Sequence, residues 1–139
     1  MKKLSFTMVL LMILLSACMD RPYSPSKPME PKENMLVINI KNNANFDFYG
    51  LRVDLLNHSQ TTVYANFEKI QKEDWLSFEF HEDDFVLDGE AQMGVAIQLE
   101  NGDTTPINKK IPVQLEKNKS IFLQITGDEV ENARIEAEM

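Results

Sequence analysis

The chain of 139 residues is poor in cysteine, glycine and tryptophan, and short of base relative to acid. Its single cysteine, Cys18, can form no intramolecular disulfide, so the hydrophobic core alone must hold the fold. Gly50, Gly89, Gly94, Gly102 and Gly127 stand isolated, and no glycine-rich loop exists to cradle a phosphate. Fourteen basic side chains against 22 acidic ones leave a net charge of −8, which lacks the footprint needed to grip nucleic acid. Neither histidine, His58 nor His81, belongs to a nucleophile elbow or an HExxH helix, and no enzymatic activity is expected. Long apolar runs are missing too, with one exception at the start of the chain.

There, Lys2 and Lys3 precede an uncharged stretch from Leu4 to Ala17. As a helix it would reach about 21 Å, short of a hydrocarbon core of about 30 Å, so it reads as a removable export signal over residues 1–17. It ends in Leu15-Ser16-Ala17-Cys18, which resembles the lipobox of bacterial lipoproteins at all four positions. The resemblance implies a diacylglyceryl group on the Cys18 thiol, cleavage before that residue, and a cell-membrane location on the extracytoplasmic face. Two acyl chains on one residue make a stable anchor where one would be marginal. No cofactor is expected apart from this covalent lipid.

Residues 18–34 follow as a lipid-anchored linker. Pro22, Pro25, Pro28 and Pro31 recur at the period of a polyproline II helix among polar residues, the composition of a semi-rigid spacer. Fully extended at about 3.1 Å per residue, it would hold a domain about 50 Å from the bilayer.

From residue 35 to 139 the apolar residues recur mostly at spacing two. Leu36, Ile38 and Ile40 alternate with Val37, Asn39 and Lys41; Leu51, Val53 and Leu55 with Arg52 and Asp54; Leu76, Phe78 and Phe80 with Ser77 and Glu79. Val95, Ile97 and Leu99, and then Ile121, Leu123 and Ile125, repeat the pattern. Each set predicts a strand with one buried and one wet face. Asn101-Gly102 predicts a type I′ hairpin turn, and Asp88-Gly89, Lys117-Asn118 and Gly127-Asp128 mark breaks. Pro112 should begin a strand or lie at a sheet edge. Residues 129–139 fit either a strand through Ala133, Ile135 and Ala137 or a helix capped by Asp128, with the strand favoured. About six to eight such strands predict an all-β fold, an antiparallel immunoglobulin-like sandwich. The lipobox, the Pro-rich spacer and Phe46-Asp47-Phe48-Tyr49-Gly50-Leu51 before an alternating strand are similar to small immunoglobulin-like domains of Gram-positive surface lipoproteins.

Candidate sites are few. Tyr49 and Tyr64 fall out of phase with their apolar neighbours, and Trp75 stands where a strand begins; all three are candidate ligand or partner contacts. His81, Asp83, Asp84 and Asp88, in the acidic stretch 81–90, are the side chains that could meet a cation, although adjacent strand residues point to opposite faces and no known metal spacing is present. The expected function is therefore a membrane-anchored, non-enzymatic binding or accessory module acting on another envelope protein. The alternative is a small-ligand or Ca²⁺-binding surface lipoprotein that uses loop 81–90. Cys18→Ser should leave the leader uncleaved or the protein mislocalised, and normal processing with unchanged membrane retention in a cell fractionation would refute the anchor.

Overall fold

In a computed structural model, which describes residues 23–139, the chain forms two β-sheets facing each other across one core. The first sheet contains β1 (Met35–Asn42), β4 (Trp75–His81), β8 (Lys119–Thr126) and β9 (Arg134–Ala137) in the order β4-β1-β8-β9. The second contains β2 (Gly50–Leu55), β3 (His58–Val63), β5 (Glu90–Gln98), β6 (Thr104–Pro106) and β7 (Ile111–Gln114), with β3-β2-β5 in order and both β6 and β7 paired to β5. Short 3₁₀ turns at Ala65–Phe67 and Val130–Asn132 are the helical elements among the described residues.

The core is built from the alternating residues. Leu36, Ile38 and Ile40 of β1 and Leu76, Phe78 and Phe80 of β4 meet Leu51, Val53 and Leu55 of β2 and Met93, Val95 and Ile97 of β5. Ile125 and Ile135 close one side of the cluster, Val113 and Leu115 another. At the opposite margin the Gln60 amide donates to the carbonyl of Glu79, tying the edge of the second sheet to the edge of the first.

Several expectations need correction. There are nine strands rather than six to eight, because the polar β3, with sequence His-Ser-Gln-Thr-Thr-Val, also pairs. The first sheet is not wholly antiparallel, since β1 runs parallel to β8 from Leu36↔Lys119 to Asn42↔Ile125. A parallel neighbour needs a long crossover, and here the entire second sheet, together with β4, supplies it.

The Asn101-Gly102 turn is not type I′. Only Gly102 has a positive φ (+87°), and the Gly102 amide donates to the carbonyl of Leu99 at 2.9 Å while the Leu99 amide reaches Asp103 at 2.8 Å. That is a three-residue loop, a turn over Glu100 and Asn101 followed by glycine in the left-handed conformation, the next commonest way to close a hairpin.

Pro112 stands second in β7, opposite Gln92, on a strand that among the described residues pairs with β5 alone; the edge position tolerates its missing donor. The C-terminal segment divides, with a one-turn 3₁₀ element at Val130–Asn132 leading into β9, where Ile135 is buried as the strand pattern requires.

β1 departs furthest from a half-wet strand. Val37 and Asn39, expected on its solvent face, are both 0% exposed. That strand is covered on both sides, by the core beneath and by a segment of chain above it. Phe78→Ala, which removes a fully buried ring from the core, should cost about 3–5 kcal/mol in urea unfolding.

Candidate functional site

The cover over β1 is residues 23–34, which run along its outer face in the opposite direction. Near the middle, Asn39 exchanges two hydrogen bonds with the backbone of Met29: the Met29 amide donates to Asn39 Oδ1 at 2.8 Å and Asn39 Nδ2 donates to the Met29 carbonyl at 3.0 Å. Ser77 Oγ also donates to Asn39 Oδ1. A buried amide side chain in an apolar strand needs such partners, since an unpaired one costs about 1–3 kcal/mol. Further along, Lys32 pairs with Glu79, and the Asn34 amide donates to Asn118 Oδ1 at 2.7 Å. Asn118, in the Lys117-Asn118 pair expected to break the chain between two strands, takes a positive φ (+63°). All these contacts fall within the stretch assigned to the spacer.

The other end of the strap is fixed by Asp74, which is 1% exposed immediately before β4. The Tyr23 hydroxyl donates to Asp74 Oδ1, the Ser26 amide reaches the same oxygen at 3.1 Å, and the Gln71 amide reaches Oδ2 at 3.0 Å. Ser26 Oγ lies 2.8 Å from both the amide and the carbonyl of Trp75, satisfying the outward edge of β4 at that residue. Burial opposes the charge on Asp74, but the hydrogen bonds from Tyr23, Tyr64, Ser26 and Gln71 together outweigh it and hold the carboxyl below the usual carboxylate range. The donors respond in the opposite sense. Desolvation first, then donation to Asp74, pushes the Tyr64 hydroxyl up to about 12, and Tyr23 rises for the same reasons.

Tyr64, one of the three aromatic candidates, is thus half-buried against the core and tied to Asp74. Tyr49 is also half-buried, stacked on Phe67 with ring centroids 5.7 Å apart. Trp75 is half-buried as well. It meets Phe122 edge-on at 5.9 Å, and Lys41 Nζ lies 5.7 Å from its ring centroid. The hydrogen bond that Lys41 donates to Glu73 raises its pKa more than slight desolvation lowers it, and Glu138 adds to the rise. Tyr49 faces a different partner from the other two, so the structure does not gather the three aromatics into one pocket.

The acidic candidates do not converge. His81, Asp83, Asp84 and Asp88 are all exposed, and no group of three His, Cys, Asp or Glu side chains is placed to hold a metal among the described residues. Within the turn after β4, Asp84 accepts from the His81 amide at 3.3 Å, and Glu82 pairs with Lys117 at 3.2 Å. His58 Nε2 lies 3.1 Å from the Asp84 carbonyl, and its ring packs against Phe85 at 5.0 Å. These contacts shape the loop. Cys18 lies outside the described residues.

Sequence reasoning missed Asn39, Asp74 and Tyr23. Asn39 carried a usable signal, a lone amide within the apolar run from Met35 to Ile40. Asp74 carried none, because its partners come from positions 23, 26, 64 and 71 and only folding assembles them.

No family model and no curated protein matches the chain. Among solved structures, it is similar to the NMR structure of a protein from Eubacterium rectale, at 15% identity and a TM-score of 0.47, over 76% of this chain and 90% of that one. Among the described residues no helix is long and apolar enough to cross a membrane.

The clamp should fail at both extremes of pH. A carboxyl whose pKa is depressed by folding contributes stability in full above its ordinary value of 3.8, and loses it as the pH falls through the lower folded value. The tyrosines, raised above 10.0, contribute below that value and lose their share as the pH climbs through the folded values. Limited proteolysis within residues 23–34 should therefore accelerate in strong acid and in strong alkali and stay slow between. Asp74→Asn should abolish the acid limb, and a variant that keeps the same acid limb would show that another group controls the strap.

Proposed function

We propose that this chain is a lipoprotein of the cell envelope, anchored through Cys18 outside the cytoplasmic membrane. Its immunoglobulin-like sandwich is a non-enzymatic binding or accessory module for another envelope protein. The observation that carries the proposal is the sequence Leu15-Ser16-Ala17-Cys18 at the end of an export leader of the right length. After cleavage the mature chain would hold twelve basic and 22 acidic residues, a charge that a like-signed membrane surface repels, so the lipid must supply the attachment.

Support for the immunoglobulin-like assignment comes from the way the sheets interlock. β1 pairs with β4 in one sheet and β2 with β5 in the other, as strands B and E, and C and F, do in that fold. β3 extends the second sheet beside β2, and β6 and β7 together flank β5. One departure is plain: the place beside β1 is taken by β8, in parallel.

Support for a binding role is the way this chain spends its polar chemistry. Asn39 and Asp74, the clearest buried polar centres described above, hold chain to chain. The five acids and the imidazole of loop 81–90 are dispersed in water, and nothing in their arrangement favours the cation reading.

Mild protease treatment of intact cells, cutting ahead of the strap, should release a folded domain lacking its N-terminal residues, while the membrane retains a peptide bearing a diacylglyceryl cysteine. Recovery of the full chain with an unmodified thiol at Cys18 would overturn the proposal.

A further inference from the structure

Because Tyr23 and Ser26 are fixed to Asp74 and Trp75, the first described residue is held at one defined point of the domain. Only five residue steps separate that point from Cys18. At about 3.3–3.6 Å per residue, Tyr23 cannot lie more than about 18 Å from the anchoring residue. The greatest reach between the anchor and the domain is therefore a fraction of the length expected when all of residues 18–34 served as spacer, and it cannot let every face of the domain meet the bilayer equally.

The surface at the exit point has a distinctive composition. Tyr23 is 57% exposed and Phe122 42% exposed, with Trp75 half-buried between Phe122 and the Lys41 ammonium. Tyrosine and tryptophan rings, apolar in body and polar at one edge, settle at the headgroup level of a bilayer, and a lysine stem can lie along apolar surface with its charge in water. We propose that this Tyr23–Trp75–Phe122 patch rests on the headgroup layer of the membrane that holds the anchor, turning the outer side of the first sheet, with the strap that covers β1, towards the lipid. The proposal rests on the lipoprotein assignment above and adds to it a membrane-contacting surface. Lys41 is already paired with Glu73 at 3.0 Å and Glu138 at 3.5 Å, two carboxylates against one ammonium, so the contact is made by rings and not by attraction to anionic lipid.

Trp75 is the only tryptophan in the chain, so its emission reports on this patch alone. The full-length processed protein, extracted from membranes, would be reconstituted into phosphatidylcholine vesicles with and without brominated acyl chains, and the mass of its Cys18 adduct would be measured on the same sample. The expected result is an adduct, a blue-shifted Trp75 emission, and loss of intensity in the brominated vesicles. A nitroxide on Phe122→Cys, the one free thiol once Cys18 is acylated, should gain collision with oxygen on reconstitution and give an independent reading.

An adduct with unquenched, unshifted emission and an unchanged nitroxide would overturn the membrane contact while leaving the anchor intact. Absence of the adduct would overturn the anchor itself and this inference with it. No quenching in pure lipid but a blue shift in native membranes would assign the patch to a protein partner and overturn the lipid assignment.

Discussion

β1 is hidden from water on both faces from Met35 to Ile40, and much of the architecture answers to that constraint. Its inner residues, Leu36, Ile38 and Ile40, fill the space between the sheets, and its outer residues Val37 and Asn39 are equally hidden. Removing apolar surface from water stabilises the fold by about 25 cal/mol per Å². Burying the Asn39 amide would work against that gain unless its donors and acceptors were met. The Met29 backbone meets them, and only because the chain doubles back over the strand it is about to form. The strap and β1 are two passes of one segment, each giving the other its polar partners.

The strap's other support is electrostatic in character. Asp74 is buried, which disfavours its charge, and is surrounded by hydroxyl and amide donors that restore it. A carboxylate that accepts several hydrogen bonds prefers to remain ionised even out of water. Because its donors come from the strap, the 3₁₀ region and the turn before β4, the carboxylate joins pieces of chain that share no strand pairing. The same cluster fixes Tyr23, the first described residue, against the sandwich. With the proposed anchor at Cys18, this small polar site would decide which surface of the sandwich lies nearest the attachment point.

Much of the fold was legible in the residue pattern. The spacing of Leu51, Val53 and Leu55, or of Leu76, Phe78 and Phe80, identified inward faces correctly, because in a strand the side-chain period is two whatever the tertiary setting. Pro112 at an edge and the strand at Ile135 follow from similarly local rules. The polar strand β3 escaped notice because its alternation carries Ser, Gln and Thr in place of aliphatic residues; it is held by pairing with β2 and not by a buried face. The hairpin at Gly102 was placed correctly but given the wrong geometry, since one glycine in the left-handed region satisfies a three-residue loop as well as a two-residue one.

Sequence by itself determined the strand faces, the turns, the acidic balance and the chemical grounds for expecting a lipid at Cys18, all properties set within a few neighbouring residues. Tertiary structure alone decided that β1 would lie parallel to β8, that proline-rich residues suited to a free spacer would instead cover a strand, and that Tyr23, Ser26 and Tyr64 would meet at Asp74. The physical reason is that an open polyproline-like chain leaves its backbone amides and carbonyls unpaired within itself. Whether water or a buried asparagine satisfies those groups depends on what the rest of the chain places within reach.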